Sequence, residues 1–153
     1  MRPTYETDET RAREAKIALR CVSLWGVAFQ KLPISYRLDY ALTTLDGRAI
    51  LGFCEIKTRE TLAGEHPTYK VSASKWLEAR RWYVLAKLRT VLVVQHLDIA
   101  VWYDLAEMYP RFEMWGRSDR GDSQDREPAL VIPSSFASPL DRVPSCMFQR
   151  VGP

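Results

Sequence analysis

The chain is poor in the residues that mark stapled, metal-clustered or membrane-spanning proteins. Its three cysteines, Cys21, Cys54 and Cys146, are widely spaced with no Cys-x-x-Cys pair, and its two histidines, His66 and His96, are isolated. A disulfide framework or a zinc site needs paired spacing, so neither is indicated, and a reducing cytoplasm is the expected setting. The longest aliphatic run, Val91-Leu92-Val93-Val94, falls far short of the roughly 20 apolar residues of a membrane helix. Residues 1 to 9 hold no apolar stretch of the kind that drives secretion, so export is not expected. With 7 Gly and 9 Pro, collagen-like and low-complexity chains are excluded, while 46% hydrophobic and 27% charged residues suit a packed core. A length of 153 residues fits one domain over the whole chain.

A large charge of one sign is lacking too: 22 basic residues stand against 19 acidic ones, a net charge of +3. The distribution is uneven. Between 70 and 89 lie Lys70, Lys75, Arg80, Arg81, Lys87 and Arg89 against the single acid Glu78, interleaved with Trp76, Trp82 and Tyr83. Basic residues mixed with aromatics suit a phosphate backbone; a solvated helix face is the alternative.

Residues 7 to 24 read as a helix, with Ala15, Ala18, Leu19 and Val22 recurring at helical spacing and acids in the first turn. A brief strand at 27 to 30 follows. Residues 34 to 43 then alternate cleanly, Ile34, Tyr36, Leu38, Tyr40 and Leu42 against Ser35, Arg37, Asp39, Ala41 and Thr43. Leu45-Asp46-Gly47 signals a hairpin into a strand over 50 to 58. Register decides everything here, because a slip of one residue moves every side chain to the other face. A two-residue turn would set Asp39 opposite Cys54. A three-residue loop with Gly47 left-handed pairs Thr44 with Arg48 and puts Asp39, Glu55 and Lys57 on one face, and its faces are the more uniformly apolar. The three-residue loop is the expectation.

Residues 59 to 70 read as a connection, Ser72 as the cap of a helix to about 88 with an apolar stripe of Trp76, Leu77, Tyr83, Val84 and Leu88, and 90 to 96 and 98 to 103 as two strands. A core over about 9 to 104 is thus followed by a charged loop over 107 to 128 and a C-terminal extension over 129 to 153, irregular apart from a short strand at 129 to 132. Within the loop Asp119, Asp122 and Asp125 lack the spacing of a calcium loop, and Trp115 is the best candidate among the tryptophans for an exposed contact. The order α-β-β-β-α-β-β describes an α/β domain with a small mixed sheet flanked by helices.

Two converging carboxylates, Asp39 and Glu55, are hard oxygen donors of the kind that hold Mg²⁺ or Mn²⁺. An ammonium beside them, Lys57, can orient water or stabilise charge at phosphorus. The Glu-x-Lys tripeptide alone says little, since Glu14-Ala15-Lys16 repeats it; its weight comes from Asp39, the glycine hairpin and the adjoining basic helix. Without that context, a surface ion cluster would account for the same residues.

In this order and in Glu14, Asp39, Glu55-Ile56-Lys57 and Tyr69-Lys70-Val71-Ser72-Ala73-Ser74-Lys75, the chain resembles the PD-(D/E)XK nuclease superfamily, most nearly its Holliday-junction-resolvase-like members, which also occur in bacteriophages. The resemblance covers about residues 9 to 104, and Leu38 stands where proline is usual. It implies a restriction-endonuclease-like core. It also implies metal held by Asp39, Glu55 and the Ile56 carbonyl, with Glu14 joining through water and Glu9 in reserve, while Lys57 acts on the nucleophilic water. Glu14, Asp39, Glu55 and Lys57 are then the catalytic residues, and Lys70, Lys75, Arg80 and Arg81 the DNA contacts. The expected activity is Mg²⁺- or Mn²⁺-dependent hydrolysis of DNA, with branched or junction DNA as a candidate substrate, by a homodimer that uses the exposed strand near 98 to 104. A catalytically inactive nucleic-acid-binding or assembly module with the same fold is the alternative.

Overall fold

The computed structural model describes residues 7–108, 110–116 and 126–144. Helix α1 (Asp8–Trp25) opens on Thr7, whose hydroxyl accepts the Thr10 amide, and closes on Gly26, left-handed at φ 67°. Its buried residues are Glu14, Ile17, Ala18, Cys21 and Trp25. The stripe is rotated from the expected one: Leu19 is 69% exposed, because the sheet meets the face carrying Ile17 and Cys21.

Strands β1 (Ala28–Lys31), β2 (Tyr40–Thr43), β3 (Ile50–Thr58), β5 (Arg89–Gln95), β6 (Ala100–Asp104) and β9 (Ser138–Pro139) form one sheet in the order β1-β2-β3-β5-β6-β9. Only β3 and β5 run parallel; β4 (Thr68–Ser72) and α2 (Ala73–Ala86) make the crossover between them. Strand β5 is buried on both faces. Val91 and Val93 pack with α1, whereas Leu92 and Val94 pack with Ala79 of α2 and with Tyr69, Val71, Leu130 and Ile132 of a second sheet.

That second sheet, β4-β8-β7 with β7 (Phe112–Gly116) and β8 (Arg126–Pro133), corrects two expectations. Residues 68 to 72 are a strand instead of a connection, and the charged loop contains β7; the strand expected at 129 to 132 is present as the longer β8, and the extension adds β9 to the first sheet. The apolar side chains of β8 close the core that α2 alone leaves open. Within α2 the buried residue is Ala79, while Leu77 and Val84 are 57% and 60% exposed, so the expected stripe is not the packing face. Residues 34 to 38 alternate without being a strand. The chain turns at Pro33, whose carbonyl accepts the Tyr36 amide, and only Leu38 of that stretch is buried. Strand β9 pairs with β6 at Val101 and Trp102, so the edge expected to serve a dimer is covered there. Asp119, Asp122, Asp125 and Cys146 lie outside the described residues.

The β2–β3 hairpin reaches the expected face by a different route. Its loop is one residue longer, with Thr44 donating to the Ala49 carbonyl at 3.0 Å and Gly47 left-handed at φ 71°. That alone would turn Asp39 away from Glu55. A bulge then slips the register a second time: Thr43 opposes Ile50, but Leu42 opposes Gly52. The two slips add to two residues, which restores the face. Tyr40 pairs with Cys54, and one step further Asp39 stands across from Glu55.

Candidate active site

Strand β2 stops at Tyr40, which leaves the edge of β3 beyond Cys54 without a backbone partner on that side. The Asp39 carboxylate takes over: its Oδ2 accepts the Ile56 amide at 3.1 Å. In a strand the N–H and C=O of one residue point the same way, so the Ile56 carbonyl also faces the Asp39 side.

Glu55 is wholly buried, at 0% exposure. A buried carboxylate is costly unless it is partnered, and two ammonium groups reach it. Lys57 Nζ lies 2.8 Å from Oε1, and Lys75 Nζ, from the first turn of α2, lies 3.1 Å from both Oε1 and Oε2. Burial raises the Glu55 pKa, against the lowering influence of Lys57; Asp39 raises it again and Lys75 lowers it. Burial pulls Lys57 the other way, yet Glu55 and Asp39 beside it leave its pKa above that of a free lysine. Lys57 is therefore an ammonium at neutral pH, a donor and a positive charge.

Of the other expected residues, Glu14 is buried on α1, on the side of the sheet carrying Tyr40 and Ile56, and its Oε2 lies 3.8 Å from Lys31 Nζ. It remains close enough to act electrostatically on Lys57. Glu9, the reserve candidate, faces solvent and bonds Arg13 at 2.6 Å. Lys70 belongs to β4 and pairs with Glu113 at 3.2 Å. Arg80 donates to the Ala106 carbonyl at 3.2 Å and lies over the Tyr83 ring, while Arg81 is exposed. The four expected DNA contacts are thus divided among a site residue, two tethered cations and one exposed one. Reading the sequence as a helix face missed the reach of Lys75 into Glu55; its place one turn inside α2, next to the β4 crossover, is the signal that could have found it.

The donor set fits a hard divalent cation: two carboxylates and a carbonyl meet, with no thiolate or imidazole among them. Burial pushes the Cys21 thiol up to about 12 and Cys54 well above its ordinary value, so neither supplies a thiolate. Among the described residues no three His, Cys, Asp or Glu side chains converge closely enough to hold an ion. Glu14 is not gathered with Asp39 and Glu55. A cation bound between those two would compete with Lys57 and Lys75 for the Glu55 oxygens.

A family model described as "Phage putative PDDEXK endonuclease" matches residues 1–139 of the chain. None of the curated protein sequences matches it. Five chains of solved structures do. One is Hjc, a Holliday junction resolvase from the archaeal hyperthermophile Archaeoglobus fulgidus, at 13% identity and a TM-score of 0.54, covering 84% of this chain and 87% of that one. At such identity the likeness establishes the fold, and the core that the family resemblance implies is the one observed, with β4 added before α2.

Proposed function

The chain belongs to the phage PDDEXK endonuclease family, and from that premise we propose that it hydrolyses phosphodiester bonds of DNA with Mg²⁺ or Mn²⁺, acting on branched or junction DNA. The observation that carries this reading is the buried Glu55 carboxylate, across from Asp39 and in contact with Lys57. Asp39, Glu55 and the Ile56 carbonyl would hold the ion, while Glu14, expected to join through water, would act from the other side of the sheet through its charge on Lys57. The ion would lower the pKa of water and offset charge at phosphorus. Lys57, kept protonated by its acidic neighbours, orients the water and stabilises the phosphoryl oxygens without removing a proton. Lys70, Lys75, Arg80 and Arg81 would steer the backbone. Cutting two strands symmetrically requires two sites, so the active form is a homodimer whose contact avoids the part of β6 covered by β9. It would work in the cytoplasm; no helix among the described residues is long and apolar enough to cross a membrane.

The test is cleavage of labelled junction, flap, single-stranded and duplex DNA by wild type and Lys57→Ala in Mg²⁺, Mn²⁺ or EDTA. Metal-dependent cutting that falls by roughly 10² to 10⁴ in the variant is the expected result. A folded wild type that cuts nothing in either metal overturns it. One feature favours a second reading, an inactive DNA-binding module: Lys75 and Lys57 already neutralise Glu55 without an ion. It predicts DNA affinity indifferent to chelator and no metal uptake.

A further inference from the structure

Beyond Lys57 along β3, a cavity of about 420 Å³ opens between the two sheets. Tyr103 of the six-stranded sheet lines it together with Arg59 and His96, which lie just past the ends of β3 and β5, and Tyr69 and Trp115 line it from the three-stranded sheet. The Tyr69 and Tyr103 rings stack at 6.0 Å and 20°, the Arg59 guanidinium sits 5.2 Å from the Tyr69 ring centre, and Trp115 is 39% exposed. Tyr69 and His96 are 7% and 8% exposed, yet among the described residues Tyr69 Oη and His96 Nδ1 have no hydrogen-bond partner. Buried polar atoms are ordinarily satisfied, and leaving one unpaired is costly. Both residues line one cavity, and a ligand seated there can supply the missing bonds. Its chemistry is narrow: a flat ring for the aromatic walls, hydrogen-bonding edges for a phenol and an imidazole, and an anion for Arg59.

We propose that this cavity receives one unstacked base of the DNA strand, with Arg59 on the phosphate flanking the one that meets Lys57. The proposal rests on the nuclease reading above and deepens it. Arg59 follows directly on the last residue of β3, and its amide donates to the Gln95 carbonyl at 2.8 Å, so the extended backbone continues and the Lys57 and Arg59 side chains leave the same face about 6.6 Å apart. That spacing leads a strand from the acidic pair directly to the cavity mouth. A base can enter only when its faces are free of neighbours, as at a single-stranded stretch or a branch point; in continuous duplex, unstacking opposes entry. The cavity therefore selects DNA with an unpaired nucleotide beside the scissile bond.

The test compares, by fluorescence anisotropy in EDTA, the affinity of the full-length protein for a single strand and for the same strand lacking all its bases. Stacking on aromatic side chains implies that wild type prefers the ordinary strand by roughly tenfold. Trp115→Ala, at an exposed position, should erase most of that preference, and Tyr69→Phe, which keeps the ring, should reduce it, both with wild-type circular dichroism. Equal wild-type affinity for the two strands, with metal-dependent cutting intact, overturns the base cavity and leaves the nuclease reading standing, as does full preference retained in both variants. Absence of both salt-dependent binding and cutting overturns the two together.

Discussion

The Asp39 carboxylate accepts the Ile56 amide at 3.1 Å, in the place where a backbone carbonyl would stand had β2 continued. One side chain thus ends a ladder and enters the site.

This double duty separates two substitutions. Asp39→Asn keeps an oxygen for the Ile56 amide and should fold like wild type while losing at least a hundredfold in cleavage. Asp39→Ala leaves that amide unpaired and should also lose about 1 to 3 kcal/mol of stability. Urea unfolding beside a cleavage assay distinguishes them; wild-type cutting by both would remove Asp39 from the site.

The raised pKa of Glu55 sets an acid limit on metal binding. An ion needs the carboxylate, so affinity falls as pH drops through a value above the ordinary glutamate range. Lys75 lowers that value, so Lys75→Ala should move the acid limb of both Mn²⁺ binding and cleavage to higher pH. Calorimetric titration of Mn²⁺ at several pH values measures it, and a limb unmoved or moved downward would contradict the ion pair.

Gly52 sits at the bulge that returns Asp39 to the face of Glu55, and a Cβ there would lie 2.6 Å from the backbone oxygen of Arg89. Gly52→Ala should cost about 1 to 3 kcal/mol and depress cleavage with it, because relief of the clash must displace the bulge or β5. Denaturant midpoints alongside activity read this out; unchanged values in both would show that the bulge is not critical.

Arg80 and Arg81 are neighbours with different surroundings. Exposed Arg81 should act on DNA alone, so Arg81→Ala should lower the slope of log K against log salt by about 1 and leave stability unchanged. Arg80→Ala also loses the bond to the Ala106 carbonyl and the Tyr83 contact and should unfold more easily. Identical behaviour of the two in both assays would refute the distinction.

Much of the site could be read locally. Alternation along residues 50 to 58 sets Glu55 and Lys57 on one face whatever the rest of the chain does, because side chains in a strand alternate with period two. The sequence places Asp39 on that face through a three-residue loop, whereas the molecule uses a longer loop and a bulge that together shift the register by two. Parity survives an even number of slips. Thr68-Tyr69-Lys70-Val71-Ser72 carried a strand signal in its buried Tyr69 and Val71, masked by its charge and by the helix that follows at once. Strand β7, by contrast, is mostly exposed and owes its form to β8, which no local pattern announces.

By itself the sequence determined the first helix, the apolar central strands, the Glu-Ile-Lys triplet and the oxygen chemistry of the site, since each follows from short-range periodicity and the identity of a few side chains. The tertiary structure alone decided that Lys75 rests on Glu55, that Glu14 approaches from the far side of the sheet, and that Tyr69 and His96 share a cavity with Arg59. Those relations join residues from separate elements. They depend on turn length, bulges and which surfaces must be buried together, quantities that belong to the packed molecule and to no single segment of it.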